Sequence, residues 1–281
     1  MQRIAITGAS GLIGTALVGK LKSDGYTVQR LVRRPTVSAE EIFWNPTTQE
    51  IDLEALAGVD AVIHLAGAGV GDKRWTKKYK SEILNSRLLG TTTIANAVSQ
   101  IKPQVFISSS AIGWYGETGN RAVIESDRGG DDFLAAVCRE WEAAADLAGD
   151  VRTVKIRTGL VLDPTGGALG RMLPLFRFGL GGKLGSGKQW WSWITLHDHL
   201  RAIEFILENK EISGPVNLTS PNPVTNQEFT SALARALRRP ALFPAPAFAL
   251  KAALGGFSTE ILGSKKVLPG ALQDAGFNFE F

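Results

Sequence analysis

With 281 residues, 44% of them hydrophobic and 21% charged, the chain suits a soluble globular enzyme built as one large domain or as a large and a small one. A net charge of +4 makes nucleic acid a weak candidate partner, and no apolar run reaches the roughly 20 residues of a membrane span. Cys138 is the only cysteine, which excludes internal disulfides and thiolate metal clusters and suits a reducing cytoplasm.

The chain opens in an apolar strand, Ile4–Thr7, which predicts no signal peptide. Glycines follow at 8, 11 and 14, then a helix over Thr15–Asp24 that Gly25 ends. A turn this tight needs residues without Cβ if a phosphate is to approach the backbone, and the helix N-terminus supplies free N–H groups and partial positive charge. Glycine triplets alone are weak signals. Strand, glycines, helix and a second strand in succession predict a nucleotide fold, with a plain βα turn as the alternative.

Strand two, Thr27–Val32, ends in Arg33-Arg34, and no Asp or Glu lies between Gly25 and Ala39. An acid there would bind the ribose hydroxyls and select NAD, whereas arginine favours a 2′-phosphate and therefore NADP. Two solvated arginines after a strand are the competing reading.

Ala61–Leu65 reads as strand three, Lys77–Ser99 as a long helix, Val105–Ser109 as strand four, Phe133–Leu147 as an alanine-rich helix and Thr153–Ile156 as a further strand. The basic run Lys73, Arg74, Lys77, Lys78 and Lys80, interleaved with Trp75 and Tyr79, reads first as a solvated helix face. Repeated βα units predict an α/β fold, a Rossmann-type doubly wound parallel sheet, over residues 1–163. Glycine and proline then multiply across Gly166–Gly187, and Trp190, Trp191 and Trp193 gather. Leu200–Leu207 and Asn226–Leu237 read as helices, the latter capped by Thr225 or Asn226, and Val216–Leu218 as a short strand. Residues 164–281 are thus expected to form mainly a smaller α+β cap, with segments near 190–220 completing the sheet. The abrupt stop at Phe279-Glu280-Phe281 suits a chain shortened at its C-terminus.

Thr7-Gly8-x-x-Gly11-x-x-Gly14, Asp60-Ala61-Val62-Ile63-His64-Leu65-Ala66-Gly67 and Phe106-Ile107-Ser108-Ser109-Ser110 followed by Tyr115-Gly116 resemble the extended short-chain dehydrogenase/reductases of sugar-nucleotide epimerase type. Arg74-Trp75-Thr76, Ser86-Arg87, Trp141-Glu142, Gly181-Gly182-x-x-Gly185-Ser186-Gly187, Trp193-Ile194 and Ala241-Leu242-Phe243-Pro244 narrow the resemblance to the atypical epimerase-family branch. The resemblance implies that Thr7, Gly8, Ser10, Gly11, Leu12, Ile13 and Gly14 take the pyrophosphate of NADP. It further implies that Arg33 and Arg34 take the adenosine phosphate end, and that Leu65, Ala66, Gly67 and Ser108 line the cofactor. Glu82 and Arg87 on the long helix, and Leu160 and Val161 beside the nicotinamide, complete the implied set.

The departure from that family is in the proton machinery. Its Tyr-x-x-x-Lys motif is missing: the residues four after Tyr26, Tyr79 and Tyr115 are Arg30, Ile83 and Gly119. Aligning Glu142 with the glutamate that follows the motif puts Leu134 and Cys138 in the tyrosine and lysine places. Cys138 then reads as a buried structural thiol. Ser110 matches the family's substrate-orienting hydroxyl, and Tyr115 is the second catalytic candidate. His64 reads as a packing residue, His197 and His199 as flanks of a capped helix start rather than a metal site, and Glu125 and Asp127 as solvent-exposed. The tryptophans suit either ligand stacking or cap packing.

The leading reading is an NADP(H)-binding oxidoreductase or epimerase with an unidentified small polar substrate, in the cytoplasm, without nucleic-acid or membrane partners. A homodimer through the long helices is the assembly that analogy suggests. The alternative is a non-catalytic NADP(H)-binding redox sensor or scaffold.

Overall fold

The computed structural model describes residues 3–281. Its strands are β1 (Arg3–Thr7), β2 (Thr27–Val32), β3 (Glu41–Asn45), β4 (Glu50–Ile51), β5 (Ala61–His64), β6 (Val105–Ala111), β7 (Ala122–Val123), β8 (Thr153–Thr158), β9 (Leu160–Asp163), β10 (Trp190–Trp191), β11 (Trp193–Thr195), β12 (Gly214–Leu218), β13 (Val224–Thr225) and β14 (Lys266–Val267). The helices are α1 (Leu12–Ser23), α2 (Leu53–Leu56), α3 (Lys77–Ile101), α4 (Phe133–Ala145), α5 (Gly167–Arg177), α6 (Leu196–Glu208), α7 (Asn226–Leu237), α8 (Ala247–Leu254), α9 (Ser258–Leu262) and α10 (Gly270–Asp274).

The main sheet runs β12-β8-β6-β5-β1-β2-β3-β4, parallel throughout except for the hairpin that sets β4 antiparallel to β3. Strand side chains alternate between faces, so a strand buried on both sides must be apolar at every position. On β1, Ile4 and Ile6 join the core under α1 and α6, while Ala5 joins the core under α3. On β5 and β6, Ile63 and Ile107 face the first core and Val62 and Phe106 the second. This is the doubly wound arrangement, and its order reverses at β1, between β2 and β5. A crevice opens outside the carboxyl ends of the strands at such a reversal.

The cap draws on several chain segments. β9 pairs with β11, β10 with β13 and β14 with β7, each as a separate two-stranded ribbon. β12 returns to the main sheet beside β8. Two stretches depart from the sequence reading. The Gly166–Gly187 stretch, read only as dense in glycine and proline, contains helix α5 with Pro174 inside it. β3, β4 and α2 fill a region in which no element was expected. Helix starts follow their caps: Thr76 accepts from Tyr79 N, Thr195 from Asp198 N, and Thr225 forms a reciprocal box with Glu228.

Candidate functional site

The first βα turn is built from backbone. Gly8 has φ +68°, and a Cβ there would stand 2.8 Å from the Leu65 carbonyl carbon. A Cβ on Gly14 would stand 2.8 Å from the Gly8 carbonyl carbon, so only glycine lets α1 meet the turn so closely. Gly11 caps α1 with no side-chain acceptor, which leaves the first helical N–H groups for an anion.

Thr7 ties this turn to β5. Its Oγ1 accepts from Leu65 N at 3.0 Å and Ala66 N at 3.2 Å, and donates to His64 Nδ1 at 2.7 Å. With Nδ1 as acceptor, His64 carries its proton on Nε2, which is buried without a partner. Desolvation pushes this imidazole down to about 3, so it stays neutral and packs edge-on to Trp44.

A cleft of about 1500 Å³ extends from this turn along the ends of β1, β2, β3 and β5. Of the expected coenzyme residues, Gly8, Ser10, Gly11, Arg33, Arg34, Leu65, Ala66, Gly67 and Glu82 line it. Thr7, Leu12, Ile13, Gly14, Arg87, Ser108, Leu160 and Val161 lie outside that lining. Arg30, Glu41, Trp44, Asn45 and Asn85 line it without having been anticipated.

Glu41 corrects the reading of an acid-free adenosine end. Its carboxylate, 1% exposed, grips Arg34 end-on, Oε1 to Nη2 at 2.7 Å and Oε2 to Nη1 at 2.9 Å. It also accepts from Arg30 Nη2 at 3.1 Å and Val37 N at 3.0 Å. The Arg34 guanidinium and the Val37 N–H hold this carboxyl below the usual glutamate range. Among the described residues Arg33 has no hydrogen bond or ion pair, and Arg30 Nε is buried and unpartnered. A glycine turn that has no room for a Cβ at Gly8 or Gly14, leading into a helix N-terminus without a side-chain cap and beside unpartnered guanidinium donors, fits a phosphorylated dinucleotide.

The segment after β5 is held down by α3. Ser86 Oγ accepts from Ala68 N at 3.1 Å, Arg87 Nη1 donates to Ala68 O at 2.9 Å, and Tyr79 OH donates to Gly69 O. Trp75 Nε1 closes the turn on Val70 O at 2.7 Å. Arg87 also lies 4.8 Å over the Trp141 ring, and burial pulls its guanidinium down from the ordinary value. Glu82 is exposed and pairs with Lys73 at 3.3 Å. Within the basic run, Lys80 covers the Phe133 ring at 4.7 Å and Lys77 and Lys78 are exposed.

At the carboxyl end of β6 lies a buried polar network. Ser110 Oγ donates to Glu142 Oε1 at 2.6 Å, and Glu142 takes Arg157 bidentately at 2.8 and 2.9 Å. Arg157 Nη1 donates to Tyr115 OH at 3.0 Å, and Tyr115 donates to Asn217 Oδ1 at 2.8 Å. Ser110 and Tyr115 are each 3% exposed, so both hydroxyls are engaged inside the protein. Burial raises the Tyr115 phenol to about 12. Leu134 and Cys138 pack against Gly113, and burial raises the Cys138 thiol to about 12.

Other candidates take structural places. His199 Nε2 meets Thr158 Oγ1 at 3.1 Å, and His197 Nε2 meets Glu280 at 2.6 Å. Glu125, expected in solvent, is half-buried and accepts from Asn217 N at 2.8 Å; Asp127 accepts from Ile124 N. Trp190 and Trp193 bond Asn120 and Asn222, and Trp191 packs on Phe229.

Residues 4–218 match the NAD dependent epimerase/dehydratase family, and residues 245–281 match a domain of unknown function (DUF1731). An epimerase family protein of Mycobacterium leprae is 45% identical over 280 residues, 98% of this chain and 91% of its own. The crystal structure of human epimerase family protein SDR39U1 (isoform2) with NADPH superposes with a TM-score of 0.91 at 32% identity, over 100% of this chain and 95% of that one. A nucleoside-diphosphate sugar epimerase of Corynebacterium glutamicum gives 0.80 at 35% identity, over 100% of this chain and 56% of that one.

Proposed function

The chain belongs to the NAD dependent epimerase/dehydratase family, and from that premise we propose that it binds NADP(H) as an epimerase-like oxidoreductase of the extended short-chain dehydrogenase type. The observation that carries this is the glycine cradle of Gly8 and Gly14 opening into a cleft with three guanidiniums. The NADPH in the human relative's structure supports the same choice.

The α1 N-terminus and the glycine turn hold the pyrophosphate, and Arg33 and Arg34 hold the adenosine 2′-phosphate. When bound, the coenzyme supplies or accepts a hydride. A small polar substrate lies under the cap formed mainly by residues 164–281, beyond the coenzyme-holding residues 1–163. Ser110 and Tyr115 support the floor of that space through Glu142 and Arg157, while a water or a substrate group moves the proton that the missing tyrosine would move. No described helix is long and apolar enough to cross a membrane. A cytoplasmic location follows from the single buried free cysteine, and a homodimer from analogy with the superfamily.

The second reading, a non-catalytic NADP(H)-binding sensor or scaffold, is favoured by Leu134 and Cys138 in the places of the tyrosine and lysine and by the engaged state of both candidate hydroxyls. Following NADPH oxidation against a panel of carbonyl compounds and nucleotide sugars separates the two. Turnover of any member supports the enzyme; a flat response with NADPH binding intact supports the sensor.

A further inference from the structure

The adenosine end of the cleft contains more than a pair of arginines. Arg30, Arg33 and Arg34 carry three positive charges, and Glu41 removes one, so the group presents a net +2 where a phosphate of about −2 would sit. Glu41 is the buried member: its side chain is 1% exposed against 53% for Arg34 and 39% for Arg30. Each carboxylate oxygen accepts two hydrogen bonds, one set of them from the end of the Arg34 guanidinium. Arg34 Nη1 also donates to Pro35 O at 2.9 Å.

A guanidinium offers two bidentate edges. With the Nη1–Nη2 end taken by Glu41, the Nε–Nη2 edge is the one left for a phosphate. An arginine without this grip is a long, mobile side chain that loses rotamer freedom when it closes on an anion. Held by Glu41 and Pro35, Arg34 has already been ordered by the protein.

Resting on the NADP(H) reading above, we propose that Glu41 is a positioning residue for coenzyme selection: it fixes Arg34 so that its remaining edge, beside the unpaired Arg33, discriminates the 2′-phosphate from a 2′-hydroxyl. The residue acts through Arg34, so its loss falls on the phosphorylated coenzyme alone. An acid in this cleft, which by itself would suggest NAD, thereby serves the choice of NADP.

The test is a fluorescence titration of NADPH and NADH on the wild-type protein, Glu41→Gln and Arg34→Ala, with 2′,5′-ADP and 5′-ADP as competitors and a melting temperature for each variant. Glu41→Gln keeps shape and one acceptor, and Glu41→Asp is the second variant should the amide fail to fold. The expected result is that either variant weakens NADPH and 2′,5′-ADP by about tenfold, leaves NADH and 5′-ADP within about twofold, and approaches the Arg34→Ala profile. Unchanged or tighter NADPH binding overturns the proposal, as does an equal loss for both coenzymes, which marks a purely structural role. A wild-type protein that binds neither coenzyme defeats the NADP(H) reading itself, a different failure from an unaltered variant.

Discussion

Ser110 and Glu142, 32 positions apart, share a 2.6 Å hydrogen bond in which the serine hydroxyl donates to a carboxylate already gripped by Arg157. The bond joins β6 to α4 and fixes the hydroxyl inward. Arg157 extends the same network to Tyr115 and Asn217, bringing together four elements of the chain.

Removing the phenol hydroxyl should therefore be felt in stability before anything else. In Tyr115→Phe, Asn217 Oδ1 and one Arg157 N–H lose their buried partner, at a cost of about 1–3 kcal/mol. Arg157→Met leaves the Glu142 charge buried and uncompensated and should cost about 3–5 kcal/mol. Urea unfolding measures both; a cost below about 0.5 kcal/mol for Arg157→Met would contradict the network as described.

Two glycines of one helix should behave oppositely. Gly14→Ala drives a Cβ into the Gly8 carbonyl, whereas a Cβ at Gly19 meets nothing within 4 Å. The first should lower coenzyme affinity by at least about tenfold and destabilise the fold by more than about 1–3 kcal/mol. The second should be neutral or stabilise by up to about 1 kcal/mol. Equal effects at the two positions, read by titration and melting, would refute the close contact of α1 with the turn.

Acid should act through two histidines. Burial pushes His64 down to about 3 and His199 to about 4, from an ordinary value of 6.5. Below pH about 6.5 the unfolded chain takes up protons that the folded chain refuses, so stability present above that pH is lost on acidification. Each histidine contributes a slope of up to about 1.4 kcal/mol per pH unit until its folded value is reached. Melting temperature should fall steadily between pH 6.5 and 4.5, and His199→Gln should flatten the fall; a level profile would contradict it.

Much of the cleft's lining was legible because it is local in sequence. The glycines of the first turn, the strand ends at Leu65 and Ala66 and the arginines after β2 each sit within a few residues of the element that positions them. Glu41 was missed because it lies on β3, and no strand was expected there: Glu41-Ile42-Phe43-Trp44-Asn45 is short, and its register against β2 is set by the sheet. Helix α5 was hidden by Pro174 and by the glycine density around it. The partners of Tyr115 and Ser110 were not readable, since Asn217 lies 102 residues from Tyr115 and only the folded sheet brings β12 beside β8 and β8 beside β6.

Cys138 was legible as a buried thiol, and its chemistry follows. Burial holds the thiol at about 12, so almost no thiolate forms at neutral pH. Iodoacetamide at pH 8 should label the folded protein far more slowly than the urea-unfolded chain; comparable rates would contradict the burial.

The proposed function requires that the glycine turn and the arginines beyond it bind a dinucleotide through its 2′-phosphate. Titration of the purified protein with NADPH and NADH, repeated on Arg33→Ala/Arg34→Ala, tests it most directly. NADPH should bind at least about tenfold more tightly than NADH, with that preference lost in the double variant. Equal or tighter binding of NADH, or an undiminished NADPH affinity in the double variant, would contradict it.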